Sequence, residues 1–367
     1  MEATMLIGRN DGLDGVVAGE TILSLVDGEA GELIVRGRTL SELVSRHGFE
    51  GVAAILWDGF VDEGGDRAAV QAGFGRARVA AFASVPRLLA AAGHLPPVEA
   101  LRVGLAILPD EDELPAHVRA CAALAVFLPA LLRHAEGKAA VAPDPSLGTA
   151  ADLLRMLSGR AAPEAHVRAL DAYLTTVADH GFNASTFAAR VVASTDAGLI
   201  SACLAGLCAL KGPLHGGAPG PVLDMLDEIG GEANARPWLE AAIVDGTKLM
   251  GFGHRIYKVR DPRADVLKAV ARDLGLESGR LAFAAVVERE ALAALRRLKP
   301  GRRLDTNVEF YTALVLEAVG VPRAAFTPLF AVARVVGWCA HVFEQERGGR
   351  IMRPQSRYIG PLPRAAA

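Results

Sequence analysis

Apolar residues recur at helical spacing over most of the chain, and one short stretch departs from that pattern. In residues 20–37, ETILSLVDGEAGELIVRG, two short apolar runs flank a turn-rich DGEAGE, which predicts a small β-hairpin. Beyond it, LSELVSRHG puts Leu40, Leu43 and Val44 on one face and is expected to stop at Gly48. VEALRVGLAIL, PAHVRACAALAVFLPALLRHAEG, LGTAADLLRMLSG and PEAHVRALDAYLTTVADHG follow, each closed by Gly or Pro. NASTFAARVVASTDAGLISACLAGLCALKG is rich in alanine and other small residues, the composition of closely packed central helices. PPVEA, APDPSLG and RRLKPGRR read as loops. No internal repeat is visible. The pattern predicts an all-α chain of a dozen or more helices with one minor hairpin.

Composition bounds the rest. The 367 residues are 51% hydrophobic and 22% charged, enough for a sizeable core and about two domains. The net charge of −3 and the lack of a basic run interleaved with aromatics argue against nucleic acid as a partner. The longest apolar runs, AGLISACLAGLCAL and ACAALAVFLPALL, fall short of the roughly 18 residues of a membrane span. MEATMLIGRNDG lacks a basic region followed by an apolar one, so no signal peptide is read and the cytoplasm is the expected location. Four cysteines do not make a disulfide scaffold; Cys203 and Cys208 fall in an alanine-rich helix and are expected to be small core residues. There is no CxxC, HExxH, P-loop or GxGxxG after a strand, so neither metal nor bound cofactor is expected. The sequon at Asn183 is taken as coincidental.

Residues 211–265 have a different texture. KGPLHGGAPGP, LMGFGHRIYK and VRDPRAD are glycine- and proline-rich turns, where backbone can approach a ligand closely. His215 lies between a helix ending near Leu210 and one beginning near Pro221, where it is either a structural turn residue or a neutral hydrogen-bond donor beside a helix N-terminus. His254 is again flanked by glycines, with Arg255 and Lys258 nearby. Asp261 is expected to cap a helix with Pro262 at its first position, so Arg263 opposes the macrodipole and asks for an anion elsewhere. Arg334 interrupts an apolar helix expected to be capped by Thr327, and a buried guanidinium needs a carboxylate or a path to the surface. His180 reads as a helix C-terminal residue or a ligand contact; Arg353 lies in an arginine-rich tail. Thr306 and Glu309 have the spacing of a capping box, and Glu309 is also a candidate base. Two glycine-flanked histidines, one acid and three arginines suit the activation of a carbon acid against a multiply anionic electrophile.

These segments resemble the citrate synthases over nearly the whole chain. The hairpin, DHGFNASTFAARVVAST, GPLHGGAPG, GFGHRIYKVRDPR, NVEFY, FAVARVVGW and RPQSRYIGP stand in the family's order and approximate spacing. The resemblance implies a helical fold of a large domain, 1–216 with 321–367, and a small one, 217–320, that closes over substrate. It implies His215 as the donor to the acetyl-CoA enol, His254 as the residue polarising the oxaloacetate carbonyl, and Glu309 as the base. It implies His180, Arg263 and Arg334 as oxaloacetate contacts. Arg353 would be supplied by the partner subunit of an obligatory homodimer, and Lys258 would lie near the CoA phosphates. Acetyl-CoA is then a co-substrate, with no cofactor.

Two positions depart from the family pattern. Glu309 stands where aspartate is usual, and Pro219 where asparagine is common. Glutamate reaches roughly 1.5 Å farther, and a misplacement of about 1 Å can cost on the order of 100-fold in rate. The expected activity is condensation of acetyl-CoA with oxaloacetate and hydrolysis of the citryl thioester. The alternatives are a 2-methylcitrate synthase using propionyl-CoA and a family-like protein that binds ligand without turnover.

Overall fold

In the computed structural model, which describes residues 12–13, 15–216, 219–254, 256–275, 279–358 and 360–361, the expected hairpin is present. Ser24–Asp27 (β1) pairs antiparallel with Glu32–Val35 (β2), with Ser24 opposite Val35 and Asp27 opposite Glu32. A two-residue third strand, Arg38–Thr39 (β3), extends the sheet in the order β1-β2-β3.

Helices make up most of the rest. α1 (Leu40–Glu42) passes through a π-helical turn, Leu43–His47, into α2 (Gly48–Trp57). The expected stop at Gly48 is therefore a bend, with a new helix beginning at the glycine itself. Next come α3 (Arg67–Phe82), α4 (Val85–Ala92), α5 (Pro97–Ala106), α6 (Ala116–Ala135), α7 (Thr149–Ser158) and α8 (Glu164–Val177). Then α9 (Ala184–Ala193), α10 (Leu199–Leu210), α11 (Pro219–Ile229) and α12 (Glu232–Val244) follow. The chain ends with α13 (Pro262–Asp273), α14 (Arg280–Leu298), α15 (Val308–Ala318) and α16 (Phe326–Gly348). PPVEA is not a loop, since Pro97 opens α5 at a position whose N–H has no intrahelical partner. The alanine-rich stretch breaks into α9 and α10, and Cys203 is buried while Cys208 is exposed, against expectation.

α16 is the structural axis. It packs on α2, α6, α8, α9 and α10, and nearly all of Phe326–Val342 is buried. α6 and the helical run Arg323–Gly348 are long and apolar enough to cross a membrane, with mean hydropathy 1.4, a feature the run-length reading missed. In each, 89% of the apolar window is buried inside the protein, which is how core helices behave. Thr327 does not cap α16. A 3-10 turn, Arg323–Ala325, leads directly into the helix, and the Thr327 hydroxyl donates to Gly216 O at 2.9 Å. That bond ties α16 to the His215 turn.

Gly337 explains how α16 meets the end of α8. A Cβ there would overlap the Ala178 carbonyl oxygen and the Asp179 side chain. With glycine, the backbones close up, and Arg334, one turn earlier, reaches the last carbonyl of α8, that of Val177. α13 and α15 pack on each other and each also packs on α8. α13, α15 and α16 therefore all pack on α8, the helix that ends just before His180.

Candidate active site

His180 follows α8 and is buried, with Nε2 3.1 Å from the Tyr257 hydroxyl. Its ring lies edge-on to His254, centroids 5.9 Å apart, and to Tyr257 at 5.7 Å. Burial, then the charges of Arg263 and Arg334, hold its pKa well below the ordinary 6.5, so the ring is neutral. The preceding Asp179 is buried against His341 Nε2 at 3.1 Å and accepts from the Ser24 hydroxyl at 2.6 Å. Ser24 in turn accepts the Gly181 amide at 3.0 Å. The hairpin thus brackets His180 on both sides.

Arg334 resolves the anomaly seen in the sequence. The side chain is buried, Nε donates to Val177 O at 2.7 Å, and the guanidinium carbon lies 4.7 Å from the Phe330 ring centroid. Nη2 is buried with no partner among the described residues. Burial is the largest influence on its pKa and pulls it down to about 10, against the raising charge of Asp179. A buried donor left unsatisfied costs roughly 1–3 kcal/mol, more when charged. Arg334 thus places a buried charged donor beside the end of α8.

His215 lies in the turn between α10 and α11, with Nε2 3.0 Å from the Ser185 hydroxyl and its ring edge-on to Phe330. Ser185 also accepts from Trp338 Nε1 at 3.2 Å and lies 2.7 Å from Asn183 Oδ1. That Asn183 oxygen already accepts the Ser185 and Thr186 amides, because Asn183 is the N-cap of α9. The coincidental sequon therefore has a structural role. Burial and the charges of Arg334 and Arg263 lower the His215 pKa to about 4. The residues beyond it, Gly217 and Ala218, and the Pro219 side chain lie outside the described residues.

His254 is held by its own loop. Nδ1 accepts the backbone amides of Ile256 at 3.0 Å and Tyr257 at 3.1 Å. A neutral ring accepting at Nδ1 carries its proton on Nε2. Burial and Arg263 lower its pKa to about 4, so that tautomer persists at neutral pH. Arg263 Nη2 lies 3.3 Å from Nε2. The anion that Arg263 asks for turns out to be its own cap: Asp261 accepts Nε at 3.0 Å and Nη2 at 2.8 Å, besides the Arg263 amide at 3.0 Å.

Backbone pairing places Glu309 beside this loop. Phe252 and Thr306 form an isolated antiparallel bridge, with Gly253 N donating to Asp305 O at 2.7 Å and Asn307 N to Gly251 O at 3.0 Å. Asn307 Nδ2 adds a bond to Gly253 O at 2.8 Å. The capping-box reading is corrected here. The N-cap of α15 is Asn307, whose side chain accepts the Glu309 amide at 3.0 Å. Thr306 turns its hydroxyl to Glu288 Oε1 at 2.8 Å, and its amide donates to Asp305. Glu309 is thereby released from capping. Burial raises its pKa to about 7; Asp261 adds to the rise, while Arg263, Lys248 and Arg334 oppose it. It also raises the pKa of buried Tyr173 on α8, after burial itself.

Six of the eight candidate residues thus share one electrostatic neighbourhood, in which Arg263 and Arg334 act on His180, His215 and Glu309. Lys258 and Arg353 stand apart. Lys258 is exposed; its amide donates to Gly28 O at 2.8 Å, where a Cβ on Gly28 would overlap the Ile256 carbonyl. Arg353 is exposed in the extended tail. A cavity of about 500 Å³ opens beside His254, lined by Lys248, Lys299 and Arg302 among others, basic residues that the sequence reading passed over. Ser185, Tyr257 and Asp261 were also missed as site residues.

The model of the citrate synthase C-terminal domain family matches residues 12–355. The chain belongs to the citrate synthase family. That family consists of condensing acyltransferase-type enzymes. The chain is 39% identical over 363 residues to putative citrate synthase 2 of Mycobacterium tuberculosis, covering 96% of this chain and 94% of the relative. It is 35% identical over 362 residues to a 2-methylcitrate synthase of the same organism, covering 95% and 90%. Among solved structures, the citrate synthase of Thermotoga maritima superposes with a TM-score of 0.85 at 32% identity, covering 98% of both chains. The citrate synthase of Thermoplasma acidophilum, in ternary complex with carboxymethyl coenzyme A and oxaloacetate, superposes with a TM-score of 0.84 at 26% identity, again covering 98% of both.

Proposed function

We propose that this citrate synthase family member condenses acetyl-CoA with oxaloacetate and hydrolyses the resulting thioester to citrate and CoA. The observation that carries the reading is a carboxyl poised near neutrality, Glu309, in the field of the buried Arg334 guanidinium, whose Nη2 has no partner among the described residues. A general base works best with a pKa near the operating pH. Glu309 takes a proton from the acetyl methyl, and charge moves to the thioester oxygen. His215, neutral beside the Ser185 hydroxyl, donates a hydrogen bond to that oxygen. His254 Nε2–H polarises the oxaloacetate carbonyl that the enolate carbon attacks. Water then cleaves the thioester, releasing CoA as thiol. Arg334, Arg263 and His180 hold the carboxylates of oxaloacetate, with charge-assisted bonds that are the strong ones.

The extra methylene of Glu309 is compatible with this role because α15 is held through its own backbone and not through the carboxylate. The cavity beside His254 suits the phosphates of CoA, with Lys248, Lys299 and Arg302 as counter-charges in place of the expected Lys258. The segment 217–320, carrying α11 to α15, forms the smaller part that closes over substrate. The exposed Arg353 completes the site of a second copy in a homodimer. Propionyl-CoA is the competing acyl donor, favoured by the resemblance to a 2-methylcitrate synthase. One methylene in a pocket discriminates by about 1–3 kcal/mol. Specificity constants for CoA release from acetyl-CoA and propionyl-CoA, each with oxaloacetate, test both readings. A larger constant for acetyl-CoA supports the first, and a larger one for propionyl-CoA replaces it with the second.

A further inference from the structure

We propose that Glu288, on α14, is a positioning residue that sets the catalytic carboxyl of Glu309 in register with His254 and Arg263. The proposal rests on the catalytic reading above. Glu288 is 4% exposed and contacts none of the six clustered site residues by hydrogen bond among the described residues. Each of its four bonds goes to a segment that carries one. Oε1 accepts Arg260 Nη1 at 3.0 Å and the Thr306 hydroxyl at 2.8 Å. Oε2 accepts Lys268 Nζ at 2.8 Å and the Tyr311 hydroxyl at 2.6 Å.

The placement of these four partners gives the argument its force. Arg260 closes the loop that begins at His254 and leads into Asp261 and Arg263. Lys268 lies on α13, whose first turn carries Arg263. Thr306 and Tyr311 stand on either side of Glu309, three residues before it and two after. One carboxylate therefore joins the loop of the carbonyl-polarising histidine, the helix of a substrate arginine and the first turn of the base's helix. Thr306 is also the residue whose backbone bridges Phe252, so the side-chain hub and the main-chain bridge act on the same point.

The hub stays charged. Burial opposes ionisation, but the bonds from Lys268, Tyr311 and Thr306 and the Arg260 charge outweigh it and hold its pKa at about 2. A carboxylate is also the one side chain that accepts four such bonds, since both oxygens are acceptors only. An amide turns one acceptor into a donor, which then faces two donors. The ion pairs with Arg260 and Lys268 weaken, and the Thr306–Tyr311 segment loses its anchor.

The test compares wild type, Glu288→Gln and Tyr311→Phe in turnover, in oxaloacetate affinity by calorimetry, and in the titration of the Glu309 carboxyl by 13C NMR. For Glu288→Gln, kcat falls about 10–100-fold, as expected for a base displaced by up to about 1 Å. Oxaloacetate affinity changes far less, because Arg334 and His180 are untouched and Arg263 keeps Asp261. The Glu309 titration midpoint moves as its surroundings shift. Tyr311→Phe keeps the ring and deletes one bond, so kcat falls less, and the double variant loses no more than Glu288→Gln alone, because both act through one contact. A folded Glu288→Gln protein with unchanged kcat and an unmoved titration overturns the proposal. So does a loss confined to oxaloacetate affinity. If Glu288→Gln does not fold, unchanged kcat in Tyr311→Phe overturns it. A wild-type protein that releases no CoA defeats the catalytic reading instead, and the titration still decides whether Glu288 positions Glu309.

Discussion

The Asp261 carboxylate accepts the Val308 amide at 3.1 Å, 47 residues along the chain, with the oxygen that also takes Arg263 Nη2. The acid that neutralises buried Arg263 therefore also holds the first turn of the helix carrying Glu309. Removing its charge has two separable consequences. Breaking a buried ion pair from one side costs about 3–5 kcal/mol, so Asp261→Asn lowers stability by roughly that amount, read by urea denaturation. Its charge also raises the Glu309 pKa. In a folded Asp261→Asn protein, the acid limb of the rate profile moves to lower pH.

The pH dependence of wild type follows from the same groups. His215 and His254 hold their pKa values at about 4, below Glu309 at about 7. The acid limb of kcat/KM is therefore a single ionisation near 7, rising as Glu309 loses its proton, with a slope of one in logarithmic form. A limb near 4, or a slope of two, contradicts this assignment. Stability runs the other way. Glu309 has a folded pKa raised above its ordinary 4.5, so its contribution is fully present below that value and is lost as pH rises through about 7. The difference amounts to at most about 3 kcal/mol. Thermal melts of Glu309→Gln against wild type should show the variant gaining relative stability between pH 5 and pH 8.

Arg334 separates binding from stability. Its guanidinium is buried, and Nη2 has no partner among the described residues. Arg334→Leu removes that burden together with a bond to Val177 O. Melting temperature is expected to stay level or rise, while oxaloacetate affinity by calorimetry falls by about 2–5 kcal/mol, the cost of truncating one side of a buried charge pair. A destabilised protein with intact affinity contradicts the role.

The dimer claim has its own assay. Glu309→Gln and Arg353→Gln proteins are each expected to be inactive. Mixed and allowed to exchange subunits, half the dimers are hybrids, and each hybrid has one site with both residues intact. Recovery of about a quarter of wild-type activity follows from two-fold symmetry. No recovery, in a mixture shown to exchange, contradicts the supply of Arg353 across an interface.

Much of this site was legible in the sequence because its members break local rules. Glycine-flanked histidines and an arginine inside an apolar helix are visible without a structure, and the structure brings all three into one neighbourhood. The residues that escaped notice obey local rules. Ser185 and Asn183 look like an ordinary helix start, Asp261 like an ordinary cap, and Glu288 like one more charge on an amphipathic helix. The second roles of Ser185, Asp261 and Glu288 depend on partners 18 to 153 residues away in sequence. The misreading of TNVEFY has the same origin. Thr306 and Asn307 are both good caps, and the choice falls to Asn307 because Glu288, on another helix, takes the Thr306 hydroxyl. The fold was read with similar limits: helical periodicity is local, whereas whether Cys208 faces inward or Gly48 ends a helix is decided by what packs there.

The central claim is that Glu309 is the working base despite its extra methylene. Release of CoA thiol from acetyl-CoA and oxaloacetate by wild type and Glu309→Gln, beside oxaloacetate affinity by calorimetry, tests it most directly. The account predicts turnover in wild type, a loss of about 10²–10⁴-fold in kcat for the variant, and nearly unchanged oxaloacetate affinity. Turnover of Glu309→Gln close to that of wild type would contradict it.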